Sequence, residues 1–587
     1  MKKQKKDKQE RRIKIRILFL TSFLLLWLCA LVFRLVQLQV IEHPRLKAQL
    51  LRQNQHQSQI IPKRGTIFDR TGNILARSIP SHSVYYTPFE GLEIQMHAEK
   101  IQRLRYILDL STQDMERIKN QISLNKPFIW VKRKIDPLSA QKVENLHIAG
   151  VHLLEENKRF YPQGTLASHV LGRVNIDDRG QSGVEQRFNS VLEGLKGQRL
   201  HFFDAKRRKY KFKTIKKPVD GKDLILTIDE TIQYIAEKEL REAIQKTGAN
   251  WGTVILSIPQ TGEILAMANF PPFDPNDPPS SLQLTDRNKA IHQTFDPGST
   301  FKIVTAAAAL ESKRAGLTDS YDCSANSISY AGKTFKDHTP FDILSFPDVI
   351  IHSSNVGTIQ IGQQTGEKHL HEMIRKFGFG QKTGIDLPAE EKGIIRPLKQ
   401  WTQISVASIS IGYEISTTPI QILQTMNIIA NNGICIPPTM LKESTASPGS
   451  SNLNSSFPRQ IISLETATHI QSILKEAVQR GTGTEATIAG YSVMGKTGTA
   501  QKFDISTKTY STSAHTASFT GYVATNSPVF SMVVVMDDPQ GQYYGGQVSA
   551  PVFRNIAIQT LRYLRIPGED TMPAVILAAK DRKVTNQ

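Results

Sequence analysis

The chain has 587 residues, a formal net charge of +20, 39% hydrophobic residues and three cysteines. That length exceeds the roughly 250 to 300 residues at which a single core stops growing, so more than one domain is expected. With 21% charged residues and about 11% glycine plus proline, the chain is neither disordered nor collagen-like. Cys29, Cys323 and Cys435 exclude a disulfide framework and a four-cysteine zinc site, and leave open whether one pair forms.

The charge is concentrated in two places. Residues 1–16 carry nine Lys or Arg against Asp7 and Glu10, and residues 199–217 carry nine against Asp204, so 15 of the 20 net charges lie in 35 residues. Residues 17–33 are uncharged and apolar; Arg34 can snorkel, and Leu35, Val36, Leu38 and Val40 extend the run to the ~20 residues that cross about 30 Å of hydrocarbon. A cleaved signal peptide has an apolar part of about 7 to 15 residues ending in small side chains, and here the continuation is bulky. The positive-inside rule therefore predicts a cytoplasmic basic tail over 1–16, a transmembrane anchor over 17–40 and an extracytoplasmic body. Phe202, Phe203, Tyr210 and Phe212 interleave the second basic segment, a pattern that suits single-stranded nucleic acid. Its predicted position outside the cytoplasm argues against that partner, and the alternation over 210–215 reads as a half-exposed strand.

Residues 41–220 mix short strand-like runs (83–87, 128–131) with polar helical stretches such as 98–110 and hold no Gly-rich phosphate loop, which predicts a non-catalytic module. From 221 the texture changes. Residues 224–228 read as a strand, and 251–270 as two strands joined at Pro259-Gln260-Thr261-Gly262. Helical sequence follows Phe301 and again fills 417–431, residues 442–458 read as a loop, and 491–502, 517–524 and 529–536 read as strands. Sequential strands with tight connections predict an antiparallel sheet in a second domain over 221–566, followed by a tail over 567–587.

The chemistry begins at Phe295-Asp296-Pro297-Gly298-Ser299-Thr300-Phe301-Lys302. Pro-Gly makes a turn into a helix start, so Ser299 and Lys302 fall one turn apart on one face. A neutral amine can take the proton of a hydroxyl three residues away, and burial or a nearby cation lowers a lysine pKa toward that state. Alone the pattern is weak. Ser-x-x-Lys occurs at Ser123, Ser139, Ser299 and Ser472; Ser-x-Asn at Ser123, Ser324, Ser353 and Ser450; Lys-Thr-Gly at Lys246, Lys382 and Lys496. Context chooses among them. Lys246-Thr247-Gly248 reads as a helix C-cap and Lys382-Thr383-Gly384 as a turn. Lys496-Thr497-Gly498-Thr499 continues an alternating strand, where the glycine admits close approach of a ligand backbone and the threonines with Lys496 suit a carboxylate. Ser353-Ser354-Asn355-Val356-Gly357 opens a helix that can point into a cleft.

The ordered set Ser299 to Lys302, Ser353 to Asn355 and Lys496 to Thr499 resembles penicillin-binding proteins and serine β-lactamases. Arg64-Gly65-Thr66-Ile67-Phe68-Asp69-Arg70, Arg159-Phe160-Tyr161-Pro162, Gly180-Gln181-Ser182-Gly183-Val184-Glu185 and Tyr543-Tyr544-Gly545-Gly546 extend the resemblance, over nearly the whole chain, to class B penicillin-binding proteins. The resemblance implies an α+β multidomain protein: one membrane helix, an elongated pedestal over 41–220, and an α/β/α penicillin-recognising D,D-transpeptidase domain with an antiparallel sheet. It implies Ser299 as nucleophile, Lys302 as base, Ser353 as proton relay to the leaving group, Asn355 as the residue orienting Lys302, and Lys496 as the group keeping the site positive. Thr497, Gly498 and Thr499 would bind substrate, with the Ser299 and Thr499 N–H groups as oxyanion hole. No cofactor or metal is implied, and His371-Glu372-Met373-Ile374-Arg375 lacks the second histidine of a zincin helix. The implied partners are peptidoglycan stem peptides, β-lactam antibiotics, and a polytopic glycan polymerase with other divisome proteins in the bacterial cytoplasmic membrane. A β-lactamase has no use for a pedestal, a β-lactam sensor would carry several membrane helices, and a class A protein would need a glycosyltransferase domain. A silent divisome scaffold is opposed by the intact motifs. Asn355 and the absence of long insertions resemble the septal FtsI type more than the elongation type.

Overall fold

The computed structural model describes residues 2–88, 94–203, 209–277, 287–442, 458–504 and 506–569. Most of the 442–458 loop, the tail from residue 570 and the 204–208 part of the second basic segment lie outside the described residues. The chain divides into two compact units, residues 1–62 with 194–220, and residues 63–193 with 221–587.

In the first unit a helix runs Lys2–Val36 and passes through one π-helical turn, Gln37–Ile41, into His43–Asn54. The basic tail is thus helical together with the apolar run it precedes. Lys6–Ile41 is long and apolar enough to cross a membrane, and Phe19, Phe23 and Trp27 are exposed along it. The same unit holds a three-stranded antiparallel sheet, Gln55–Ile60, Gly197–Phe203 and Lys209–Lys216. The alternation over 210–215 does form a strand, but both faces of 211–216 are exposed, not one. Phe212 is covered on one side by the Arg199 guanidinium, 4.9 Å from its ring centre.

The second unit begins with a sheet built on the long strand Ile74–Tyr86. It pairs antiparallel with Val151–Phe160, Ile129–Ile135 and Ile67–Phe68. Helix Thr112–Ser123, started by a Ser111/Asp114 capping box, buries Met115, Ile118 and Ile122 against Ile129 and Val131. The 224–228 strand shortens to Leu224–Ile225, and it joins this sheet in parallel beside Ile67–Phe68. Three of the sequence motifs converge here. Glu185, fully buried, accepts from Arg64 Nε and Arg159 Nε, each at 2.6 Å, and from the Tyr161 hydroxyl at 3.4 Å.

A second large sheet has five antiparallel strands in the order Ile264–Phe270, Trp251–Ser257, Pro528–Asp537, Thr509–Ala524, Ser492–Asp504. The first two form the expected hairpin, closed by Ile258 N donating to Glu263 O at 2.9 Å. Side chains alternate faces along a strand, and both faces here are apolar. Val254, Leu256, Met532 and Val534 pack with Leu240 of helix Glu230–Thr247 and Phe553 of helix Gly545–Leu564. Ile255, Val533 and Val535 pack with Leu423 of helix Pro419–Ala430 and Leu474 of helix Leu464–Gln479. The result is the α/β/α layering implied by the resemblance. Cys323 and Cys435 are free: Cys323 Sγ lies 3.4 Å from Ser354 Oγ, and Cys435 Sγ accepts from Gln424 Nε2.

Candidate active site

Ser299 stands in a 3₁₀ turn, Gly298–Phe301, that runs directly into helix Lys302–Glu311. Residues i and i+3 eclipse in such a turn, which brings Ser299 and Lys302 to one side. Gly298 has φ +54°, a left-handed conformation that glycine adopts without a steric penalty, and its N–H donates to Gly412 O at 3.1 Å. Thr300, Phe301 and Lys302 are buried and Ser299 is half-buried. The alanines after Lys302, Ala306 to Ala309, are all buried, so small side chains let this helix lie at the centre of the domain.

Lys302 is fully buried, and among the described residues the hydrogen-bond partners of its amine come from the second motif. Its Nζ donates to Ser353 O at 2.6 Å, Asn355 Oδ1 at 2.8 Å and Ser353 Oγ at 3.3 Å. Burial brings its pKa down to about 7, against the pull of nearby Asp337 and Cys323 in the other direction. Ser353 joins helix Phe346–Ile351 to helix Asn355–Thr365 with φ +61°, a strained conformation for a serine of the kind that clusters at functional sites. Ser354 is the N-cap of the second helix, accepting from Gly357 N at 3.0 Å. A second cap is Asp337, which the sequence did not single out. Its carboxylate accepts from Ser354 Oγ at 2.7 Å, from Val356 N at 3.2 Å and from Asn355 N. It therefore fixes the residue that holds Lys302.

The third motif lies on Ser492–Asp504, an edge strand of the five-stranded antiparallel sheet. Lys496 is fully buried; burial and then the Lys302 cation hold its ammonium well below the usual lysine range. Among the described residues its Nζ has no hydrogen-bond partner. Thr497 Oγ1 pairs with Thr482 Oγ1 at 2.6 Å, and Thr499 Oγ1 accepts from the N–H of Gly545, the first residue of the 20-residue helix Gly545–Leu564. Gly498, expected to admit a ligand backbone, lies against the protein's own Ser299 turn and the neighbouring strand: a Cβ there would lie 2.4 Å from Ser518 Oγ, 2.9 Å from Thr300 Cγ2 and 3.0 Å from Pro297 O. Gly498→Ala is accordingly expected to displace the Ser299 turn, costing about 1–3 kcal/mol in overpacking and slowing acylation by fluorescent penicillin about tenfold or more. An unchanged acylation rate would remove this role.

These residues meet across one cleft. Ser299, Ser353, Thr497 and Thr499 line a cavity of about 420 Å³. Asn355 and Thr499 line an adjoining cavity of about 460 Å³, and His338 and Tyr544 border both. Lys302 and Lys496 lie buried beneath, and Gly498 packs under the turn. The competing motif copies lie elsewhere. Ser123 ends one helix, Ser139 and Ser472 sit within others, and Gly248 is the left-handed cap of helix Glu230–Thr247. Thr383 is tied to Glu390 at 2.6 Å, and Ser324 to Asp322 at 2.6 Å. Ser450 lies outside the described residues. Sequence reasoning missed Asp337, Thr482 and Asp296. Asp296, three residues before Ser299, is pushed up to about 6 by burial and accepts from the Tyr510 hydroxyl at 2.7 Å.

Family models agree with this geometry. The penicillin binding protein transpeptidase domain matches residues 252–557, and the penicillin-binding protein dimerisation domain matches residues 59–226. The chain is 33% identical over 564 residues to the probable peptidoglycan D,D-transpeptidase PbpC of Pseudomonas aeruginosa, covering 95% of this chain and 97% of that protein. It is 31% identical over 605 residues to the peptidoglycan D,D-transpeptidase FtsI of Escherichia coli, covering 100% and 98%, and 33% identical over 515 residues to the stage V sporulation protein D of Bacillus subtilis, covering 86% and 79%. Among solved structures, penicillin-binding protein 3 of Mycobacterium tuberculosis complexed with aztreonam superposes with a TM-score of 0.66 at 27% identity, over 87% of this chain and 98% of that one. A chain that brings the three motifs to one cleft, and aligns from end to end with D,D-transpeptidases, belongs to the class B penicillin-binding proteins, the D-Ala-D-Ala transpeptidases of peptidoglycan.

Proposed function

We propose that the chain cross-links peptidoglycan through a Ser299 acyl-enzyme during septal wall synthesis, and that β-lactams acylate the same serine. The observation that carries the mechanism is the buried Lys302 amine, brought to about 7 and held by Asn355 and Ser353 beside the Ser299 turn. At neutral pH about half of such an amine is unprotonated. Neutral Lys302 takes the proton as Ser299 Oγ bonds to the carbonyl carbon between the two terminal D-alanines of a stem peptide. The Ser299 and Thr499 N–H groups receive the oxyanion, a type of contact whose removal in other enzymes costs about 3–4 kcal/mol. The edge position of the Lys496 strand supports this role, because one side of its backbone is free of sheet pairing.

Collapse expels D-alanine, whose nitrogen takes a proton through Ser353, the hydroxyl 3.3 Å from Lys302 Nζ. Thr497 and Thr499 bind the terminal carboxylate, whose negative charge favours the protonated form of the unpaired Lys496 amine. An amine from a neighbouring stem then displaces Ser299 from the acyl group. On this reading residues 1–16 stay in the cytoplasm and 17–40 anchor the chain in the bacterial cytoplasmic membrane. The pedestal over 41–220 carries the transpeptidase domain over 221–566 on the outer side. The septal role is supported by Ser353-Ser354-Asn355-Val356-Gly357 and the full-length similarity to FtsI, and it implies a polytopic glycan polymerase with other divisome membrane proteins as partners.

Given a donor ending in D-Ala-D-Ala and an amine acceptor, the full-length protein is expected to form one cross-link per D-alanine released, with penicillin suppressing both. Release matched by hydrolysis alone would contradict the transferase reading. A tagged copy is expected to gather at division sites; uniform placement along the side wall would contradict the septal role.

A further inference from the structure

The two cavities that meet at His338, Thr499 and Tyr544 differ in charge. The Asn355 cavity is lined by Lys333 and Lys336 and, among the described residues, by no carboxylate. Among the described residues the Ser299 cavity has no Lys or Arg in its lining and one acid, Glu485. Glu485 stands in the 3₁₀ turn Thr484–Ala486, three residues beyond the Thr497 partner Thr482, with its side chain 58% exposed. Glu485 forms an ion pair with Arg554 at 3.6 Å, without a hydrogen bond and with both side chains exposed, so an incoming ammonium can compete for the carboxylate.

The second half-reaction places a requirement on this cavity. In it the acceptor nitrogen bonds to the acyl carbon, the carbon–Ser299 oxygen bond breaks with its electron pair going to Oγ, and one amine proton passes through the Lys302 and Ser353 groups to Ser299. By microscopic reversibility the attacking nitrogen occupies the place the D-alanine nitrogen vacated, on the Ser353 and Thr497 side of the acyl group. That is the Ser299 cavity. A primary amine arrives mostly as an ammonium and gives one proton to solvent before its nitrogen attacks.

We propose that Glu485 receives the acceptor stem peptide's ammonium at the rim of the Ser299 cavity and so determines transfer over hydrolysis. The inference rests on the acyl-enzyme reading above. Glu485 acts as a specificity residue for the incoming amine and makes no contact with the reacting atoms.

The test uses the full-length protein and a donor thioester, with Glu485→Gln and Glu485→Lys beside the wild type. Two nucleophiles are compared: a synthetic stem peptide with a free side-chain amine, and hydroxylamine, which is uncharged at neutral pH. Fluorescent-penicillin labelling in parallel reports the donor half-reaction, so failure of the acyl-enzyme reading appears there and not in the partition. The expected result is a fall of about tenfold in the ratio of peptide transfer to hydrolysis for Glu485→Gln, through a raised acceptor KM, and a larger fall for Glu485→Lys. Labelling and hydroxylamine transfer are expected to stay within about twofold. Peptide transfer at the wild-type ratio in both variants would overturn the proposal, as would an equal loss with hydroxylamine.

Discussion

Replacing Lys302 with methionine is expected to slow acylation by penicillin by about 10²- to 10⁴-fold, the range of a positioned general base. In the wild type the acylation rate should rise with pH, roughly tenfold per unit below about 7, and level off above it. The sign follows from burial: the lowered pKa makes the neutral, proton-accepting amine the majority form above about 7. The methionine variant should lose that inflection. Its fold should survive, because the change removes a buried amine together with the need to satisfy it. Ser353 O and Asn355 Oδ1 lose their donor, at a cost of roughly 1–3 kcal/mol. Stopped-flow acylation across pH, with thermal unfolding of the variant as control, checks both halves. An unchanged inflection in the variant would place the base elsewhere.

Glu185→Ala should destabilise the second unit by about 3–5 kcal/mol, the effect of removing one partner from a buried ion cluster. Arg64 and Arg159 keep only 3% and 1% of their side chains exposed, so the change leaves two guanidinium groups in the interior without their carboxylate. Replacing all three residues together by apolar side chains of similar volume should cost far less, because the uncompensated charges disappear. Denaturant unfolding and the rate of proteolytic nicking of residues 63–193 are the measurements. A Glu185→Ala midpoint equal to the wild type would mean that the guanidinium groups find other acceptors or water.

Glu185 also marks the limit of what the sequence made legible. Its motif was recognisable, as were those of Arg64 and Arg159. Their meeting was not, because residues 121 and 26 positions away in sequence are brought together only by the sheet on Ile74–Tyr86. Local pattern sufficed where local physics decides: the Pro-Gly turn into the Ser299 helix, the hairpin before Ile264, the alternation through Lys496, and the apolar strands that need helices on both faces. It failed where a partner decides. Leu224–Ile225 is a two-residue strand assigned by Ile67–Phe68, not by its own composition. Asp337 lies in an unremarkable polar run, yet its carboxylate reaches Asn355 18 residues later. Gly498 was read as a site of close approach by a ligand backbone; in the fold the groups packed closest to it are the protein's own Ser518, Thr300 and Pro297. The opposed charges of the two cavities required the fold, since Glu485 and Lys333 are far apart in the chain.

The central claim, that Ser299 is the acylated nucleophile activated within this cleft, is tested most directly by mass spectrometry of the full-length protein after exposure to penicillin, wild type beside Ser299→Ala. The account predicts one adduct per chain in the wild type, located on the peptide that contains Ser299 and lasting for many minutes, and none in the variant. An adduct of equal yield in Ser299→Ala, or one located on any other residue of the wild type, would contradict it.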